Sequence, residues 1–159
     1  MSKEEFPTPP GGWDIAALTA LFASDPDDLG DVDVAVDGDV LFVTIKERGD
    51  LVVSLMPSGD QVLASVLLIA EAAVPRSDRF NKAALELHKA IPLSTFGLTK
   101  VDERAWYELF GSLSTRCSAD DLVEEVVVLA TNAAEAAKWI EEWTEQYGAC
   151  QTDIEGANA

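Results

Sequence analysis

Histidine occurs once in this chain, at His88, and cysteine twice, at Cys117 and Cys150. Two cysteines build no disulfide framework, and no Cys/His spacing of a zinc site is present. A Ser-His-Asp triad needs an oriented imidazole beside a nucleophile, so it would have to be built on His88. That residue sits at the edge of an apolar helical stripe, where a structural role is the simpler reading. Glycine-rich phosphate loops are missing as well: Gly11-Gly12 and the isolated glycines match neither Walker nor dinucleotide patterns. The longest nearly apolar run, Val62 to Ala70, falls far short of the roughly 20 residues a bilayer span needs. The opening MSKEEFPTPPGG lacks the basic and apolar regions of a secretory signal. These absences predict a cytoplasmic protein with reduced thiols, no metal, no organic cofactor and no direct membrane insertion.

Basic residues are scarce too, 11 against 29 acids, for a net charge of −18. Such a chain repels phosphate backbones and anionic lipid, so nucleic acid is not an expected partner. The acidity serves solubility, or it attracts a basic or amphipathic partner. What is present is ordinary globular material. Hydrophobic residues make up 48 % and charged residues 25 % of 159, enough for one domain with a real core.

In chain order, residues 1–12 are Pro/Gly-rich and polar and read as a mobile arm. Residues 13–147 form the domain and 148–159 a flexible tail. Ile15, Leu18, Leu21 and Phe22 share one side of a short helix capped near Asp14. Val32, Val34 and Val36 alternate with aspartates, and Asp37-Gly38 signals a hairpin. Val40–Ile45 and Leu51–Met56 read as further strands, with Pro57-Ser58-Gly59-Asp60 as a turn. Val62, Val66, Leu67 and Ala70 would suit a helix, but the tight turn before them favours a strand over Gln61–Val74.

Phe80, Ala83, Ala84, Leu87 and Ile91 recur at helical spacing, after Ser77 as a cap and before Pro92 as a stop. Strands around Phe96–Leu98 and Trp106–Leu113 follow, joined at Asp102-Glu103-Arg104. In the second, Trp106, Glu108 and Phe110 alternate with Tyr107, Leu109 and Gly111, so both faces are apolar. Ser118 and Asp121 form a capping box for a last helix ending at Gly148. It is apolar over a wide arc, with Trp139, Trp143 and Tyr147 every four residues. The order α-β-β-β-β-α-β-β-α with hairpin connections predicts an α+β fold, an antiparallel sheet flanked by helices.

The segment FNKAALELHKAIPLSTFGLTKVDERAWYELFGSLS, followed by LVEEVVVLATNAAEAA, resembles the YjfI-like family of small bacterial proteins. The likeness extends over roughly Trp13 to Trp143. It implies a fold similar to type III secretion chaperones and YbjN-like proteins, and a gene neighbourhood with a PspA-like membrane-stress protein. Chaperones of that fold are acidic homodimers that hold an extended or helical partner segment. The resemblance brings no activity and no catalytic residue.

The expectation is therefore a non-enzymatic, chaperone- or adaptor-like protein-binding module, a homodimer with a protein partner, PspA-like on the resemblance. Its surplus apolar groups put Phe96, Trp106, Phe110, Val126, Trp139 and Trp143 forward as interface residues. The alternative is a small enzyme or ligand-binding domain with an acidic pocket near Glu108, the acid best placed to be partly buried.

Overall fold

The computed structural model describes the backbone of residues 6–157 and the side chains of residues 6–148. Its elements are α1 (Ile15–Ala23), β1 (Val32–Asp37), β2 (Val40–Ile45), β3 (Leu51–Ser58), β4 (Gln61–Ala70), α2 (Ser77–Leu87), β5 (Thr95–Val101), β6 (Arg104–Ser114) and α3 (Ala119–Ala157). The predicted order holds throughout.

Local chemistry sets most of these boundaries. Asp14 caps α1, its Oδ1 accepting from the Ala17 N–H at 2.8 Å. At α3 the capping box is reciprocal. Ser118 N–H donates to Asp121 Oδ2 at 2.9 Å, and Asp121 N–H to Ser118 Oγ at 3.1 Å. These bonds favour the charged carboxylate and hold Asp121 below the usual carboxyl range. The β5–β6 turn consists of Asp102 and Glu103, both at positive φ, as a two-residue hairpin loop requires.

Strand β3 runs on through Pro57 and Ser58, which pair with Val62 and Gln61, so the turn is Gly59-Asp60 alone; other boundaries also differ from the sequence reading. Ser77 is the first residue of α2, not its cap; the cap position is Arg76, in a left-handed conformation. The same helix ends at Leu87 and tightens into a 3-10 turn, His88–Ala90, before Pro92 is reached. Segment 61–74 is a strand as expected, but only to Ala70, where a 3-10 turn takes over. Helix α3 passes through Gly148, so residues 148–157, read as tail, are helical. A glycine costs a helix interior only about 1 kcal/mol and ends it only where the chain turns left-handed. The arm is also partly seated. Phe6 packs on the core, and Thr8 Oγ1 and Trp13 Nε1 both donate to the Cys117 carbonyl. Residues 1–5 of that arm lie outside the described residues.

All six strands join one antiparallel sheet in the order β1-β2-β3-β4-β6-β5. Strand β4 lies between β3 and β6, so the last hairpin docks through its second strand and leaves β5 at the edge. A bulge between Leu67 and Ile69 shifts the register, so that Ile69 lies opposite Tyr107 and shares its face.

The helices pack on one face of this sheet. Leu41, Val43, Ile45, Val53, Leu55, Val62, Ala64, Val66 and Leu109 point into that layer and are fully buried or nearly so. They meet Leu18, Leu21 and Phe22 of α1 and Leu122, Val126 and Leu129 of α3. Ala130, Ala133 and Ala136, all buried, keep the middle of α3 slim enough to lie close to neighbouring elements. On the other face every described side chain of β2, β3 and β4 is half-buried or exposed.

Candidate protein-interaction site

The period of two sends Trp106, Glu108 and Phe110 of β6 to the face that carries no helix. There Phe110 lies across Gly97 of β5, so close that a Cβ at Gly97 would sit 2.9 Å from its ring. A shallow hollow of about 500 Å³ opens beside it, lined by Val40, Phe42, Met56, Leu63, Leu67 and Val101 around Glu108, with Ser54, Ser65 and Thr99 between them. One carboxyl and no base line this hollow. Burial among apolar neighbours pushes the Glu108 carboxyl above its usual range. No histidine, lysine or cysteine stands in the hollow as a partner for proton transfer or nucleophilic attack.

The six residues singled out from the sequence divide between the faces. Trp106 and Phe110 lie on the open face. Phe96, Val126, Trp139 and Trp143 lie on the helix side, and Val126 is completely buried within the monomer. The wide apolar arc of α3 is largely spent inside its own chain. Phe80 of α2 gathers the aromatic members: it stacks on Trp139 at 4.5 Å and meets Tyr107, Trp143 and Phe96 edge-on at 5.0, 5.3 and 6.2 Å. The Trp143 indole N–H donates to the Pro75 carbonyl, and the Tyr107 hydroxyl to Asn81 Oδ1 at 2.5 Å. Burial, then the nearby Glu71 charge, pushes the Tyr107 phenol up to about 12.

His88 has the structural role expected of it. Its Nε2 accepts the Phe96 N–H at 3.0 Å, and its ring stacks parallel to Phe96. Among the described residues no group of three His, Cys, Asp or Glu is placed to hold a metal, and no helix is long and apolar enough to cross a membrane.

Sequence reasoning missed Glu125. It sits on the inner side of α3, only 4 % exposed, and its Oε1 has no hydrogen-bond partner. The oxygen occupies the space where a side chain at Gly111 would begin, which makes glycine necessary there. Its position one turn from Asp121, and between Leu122 and Leu129 at helical spacing, is the signal that places it inward. Desolvation first, and the Glu124 charge second, push its carboxyl up to about 6 from 4.5. The folded state therefore holds this proton more tightly than the unfolded chain. Its stabilising contribution is complete below about pH 4.5 and is lost as the pH rises through about 6. Glu125→Gln is expected to raise stability at pH 7.5 by about 1–2 kcal/mol and to leave it unchanged near pH 4. Urea titrations of both proteins at the two pH values check this; an equal or lower midpoint for the variant at pH 7.5 refutes it.

Comparison with known proteins agrees with the architecture. Residues 12–144 match the family described as "Uncharacterized protein conserved in bacteria (DUF2170)". The "Uncharacterized protein YjfI" of Escherichia coli (strain K12) is 26 % identical over 132 residues, covering 83 % of this chain and 98 % of that protein. Among solved structures, one in the "ExsC-ExsE Complex" superposes with a TM-score of 0.59 at 12 % identity, covering 80 % of this chain and 97 % of that chain. "YbjN, a putative transcription regulator from E. coli" gives 0.49 at 14 % identity, covering 76 % and 92 %. The α+β, secretion-chaperone-like fold expected from the resemblance is the fold found. With the match running from Gly12 to Thr144, nearly the whole described domain, the chain belongs to the DUF2170 family of bacterial proteins, the family that its YjfI-like sequence features indicated.

Proposed function

We propose that this chain is a non-enzymatic, chaperone- or adaptor-like protein-binding module of the cytoplasm that works as a homodimer. In this reading two copies meet through the open face of the sheet. The supporting observation is the contrast between that face and the rest of the surface. In a chain of net charge −18, the hollow beside Phe110 carries one carboxyl among seven apolar side chains. Two copies repel one another over most of their surface, and the hollow itself adds only Glu108 to that repulsion. Burying several hundred Å² there gives a gross gain on the order of 10 kcal/mol at about 25 cal/mol per Å². Charges farther apart than about 8 Å are screened at physiological salt, so burial outweighs repulsion.

A PspA-like membrane-stress protein is the partner this reading puts forward. Light scattering at micromolar concentration tests the dimer: a mass near twice 17.1 kDa supports it, and 17.1 kDa at all salt concentrations rejects it. The second reading, a ligand-binding domain with Glu108 at its centre, draws on the same hollow and the raised carboxyl within it. Mass spectrometry of a metabolite released from the purified protein would favour it over the first.

A further inference from the structure

We propose that the free edge of β5 is a docking site for an extended segment of another protein, one whose apolar residues alternate with acidic ones and which adds as a seventh strand. This rests on the reading of the chain as a protein-binding module, and not on its being a dimer. Among the described residues, strand β5 ends the sheet and is bonded to β6 on one side only. Phe96 gives its N–H to His88, so Phe96 faces away from β6. Antiparallel strands alternate, so the backbone groups of Leu98 and Lys100 face outward too. Outward N–H and C=O groups in a row are a template for another strand.

The two edges of the sheet are treated differently. Strand β1 carries exposed Asp33 and Asp37, with Lys46 paired to Asp33 at 2.6 Å, and charges of this kind guard an edge against pairing. Strand β5 carries one charge, Lys100, and is flanked by apolar groups. Of seven large hydrophobics exposed among the described residues, four lie between Leu85 and Leu98: Leu85, Leu87, Leu93 and Leu98. Two hollows open on either side of Phe96. One, of about 190 Å³, is bounded by Leu85, Leu98 and Tyr107; the other, of about 330 Å³, by Leu87, Ile91 and Trp139. Alternate side chains of an added strand would stand on the face of Phe96 and Leu98, beside these hollows.

Charge selects the occupant. Between Arg76 and Arg104 the chain has six bases and four acids, a balance of +2, which leaves −20 on the remainder. Lys89, Lys100 and Arg104 are exposed at this end. An acidic segment is attracted there, whereas a second copy docking edge to edge would bring two Lys100 side chains onto one short edge.

The test uses two nine-residue synthetic peptides, one alternating valine with glutamate and one alternating valine with lysine. Each is titrated into the isotope-labelled full chain at physiological salt, where the negative charge of the rest of the chain is screened beyond about 8 Å, and followed by amide chemical shifts. The glutamate peptide is expected to bind at least tenfold more tightly, with the largest shifts at Leu98 and Lys100. Leu98→Pro removes an outward N–H that β6 does not use, and should abolish binding. Lys100→Glu, at an exposed position that does not threaten folding, should cancel the tenfold preference. Equal binding of both peptides, preference for the lysine peptide, shifts centred on Phe42 and Met56, or β5 amides already occupied by a second copy would each overturn the proposal. Light scattering of the same samples reads the dimer separately, so that failure of the dimer and failure of this edge site are told apart.

Discussion

Replacing Phe110 with aspartate is expected to turn the proposed dimer into a monomer at micromolar concentration. Phe110 lies on the open face over Gly97 and at the margin of the apolar hollow. In a symmetric pair each copy contributes the substitution, so its cost is counted twice. A charge forced into an apolar contact costs several kcal/mol unless it is paired, and the hollow offers no base. Two such costs weaken association by at least about 100-fold. Within a monomer the position is only half-buried, so folding should survive. Light scattering of wild type and variant over a concentration series, with far-UV dichroism as a check on folding, reads the result. A variant that still dimerises with wild-type affinity would show that the contact lies elsewhere.

The second large effect is on stability. Phe80→Ala should cost about 3–5 kcal/mol, toward the upper end of the range for a buried aromatic. Phe80 is completely buried and touches four other aromatic rings, from α3, β5 and β6. Each such pair adds about 0.5–1.5 kcal/mol beyond its area. Bulky rings on three separate elements cannot close over the gap, so a cavity remains. Since a domain's whole stability is about 5–15 kcal/mol, the loss is a large share of it. Urea unfolding followed by tryptophan fluorescence measures it directly, because Trp139 and Trp143 stand in the cluster. A loss below about 1.5 kcal/mol would mean that the cluster collapses around the missing ring.

What was legible in the sequence was local. Asp37-Gly38, Ser118 with Asp121, and Asp102-Glu103 specify turns and caps through residues within three positions of one another; the structure has the cap and both hairpins, the first turning at Gly38-Asp39 because Asp37 still pairs with Val40. The alternation of β6 was legible too, because a period of two needs no tertiary information. Which phase of that alternation would be covered was not, since it depends on where α3 lands. For the same reason Phe96 and Phe110, equally apolar in sequence, fall on opposite faces, and Val126 proves to be core. The placement of β6 beside β4 is likewise a long-range choice that the hairpin alone does not disclose. The basic balance of residues 76–104 was there to be counted and was masked by the overall charge. Glu125 was hidden by its type: a glutamate in an acidic helix reads as surface until its spacing from Leu122 and Leu129 is followed.

The position of β4 also bears on how the chain is made. Its partners on β6 lie 36 to 53 residues later, Ala70 opposite Trp106 and Gln61 opposite Ser114. A ribosome adds about 5–20 residues per second, so β4 waits on the order of 2–10 s with one edge bare. During that interval QVLASVLLIA is a mostly apolar strand, already paired with β3 and open on its other side. The nascent chain is then most exposed to sticking, and slow translation between Glu71 and Arg104 would lengthen the risk.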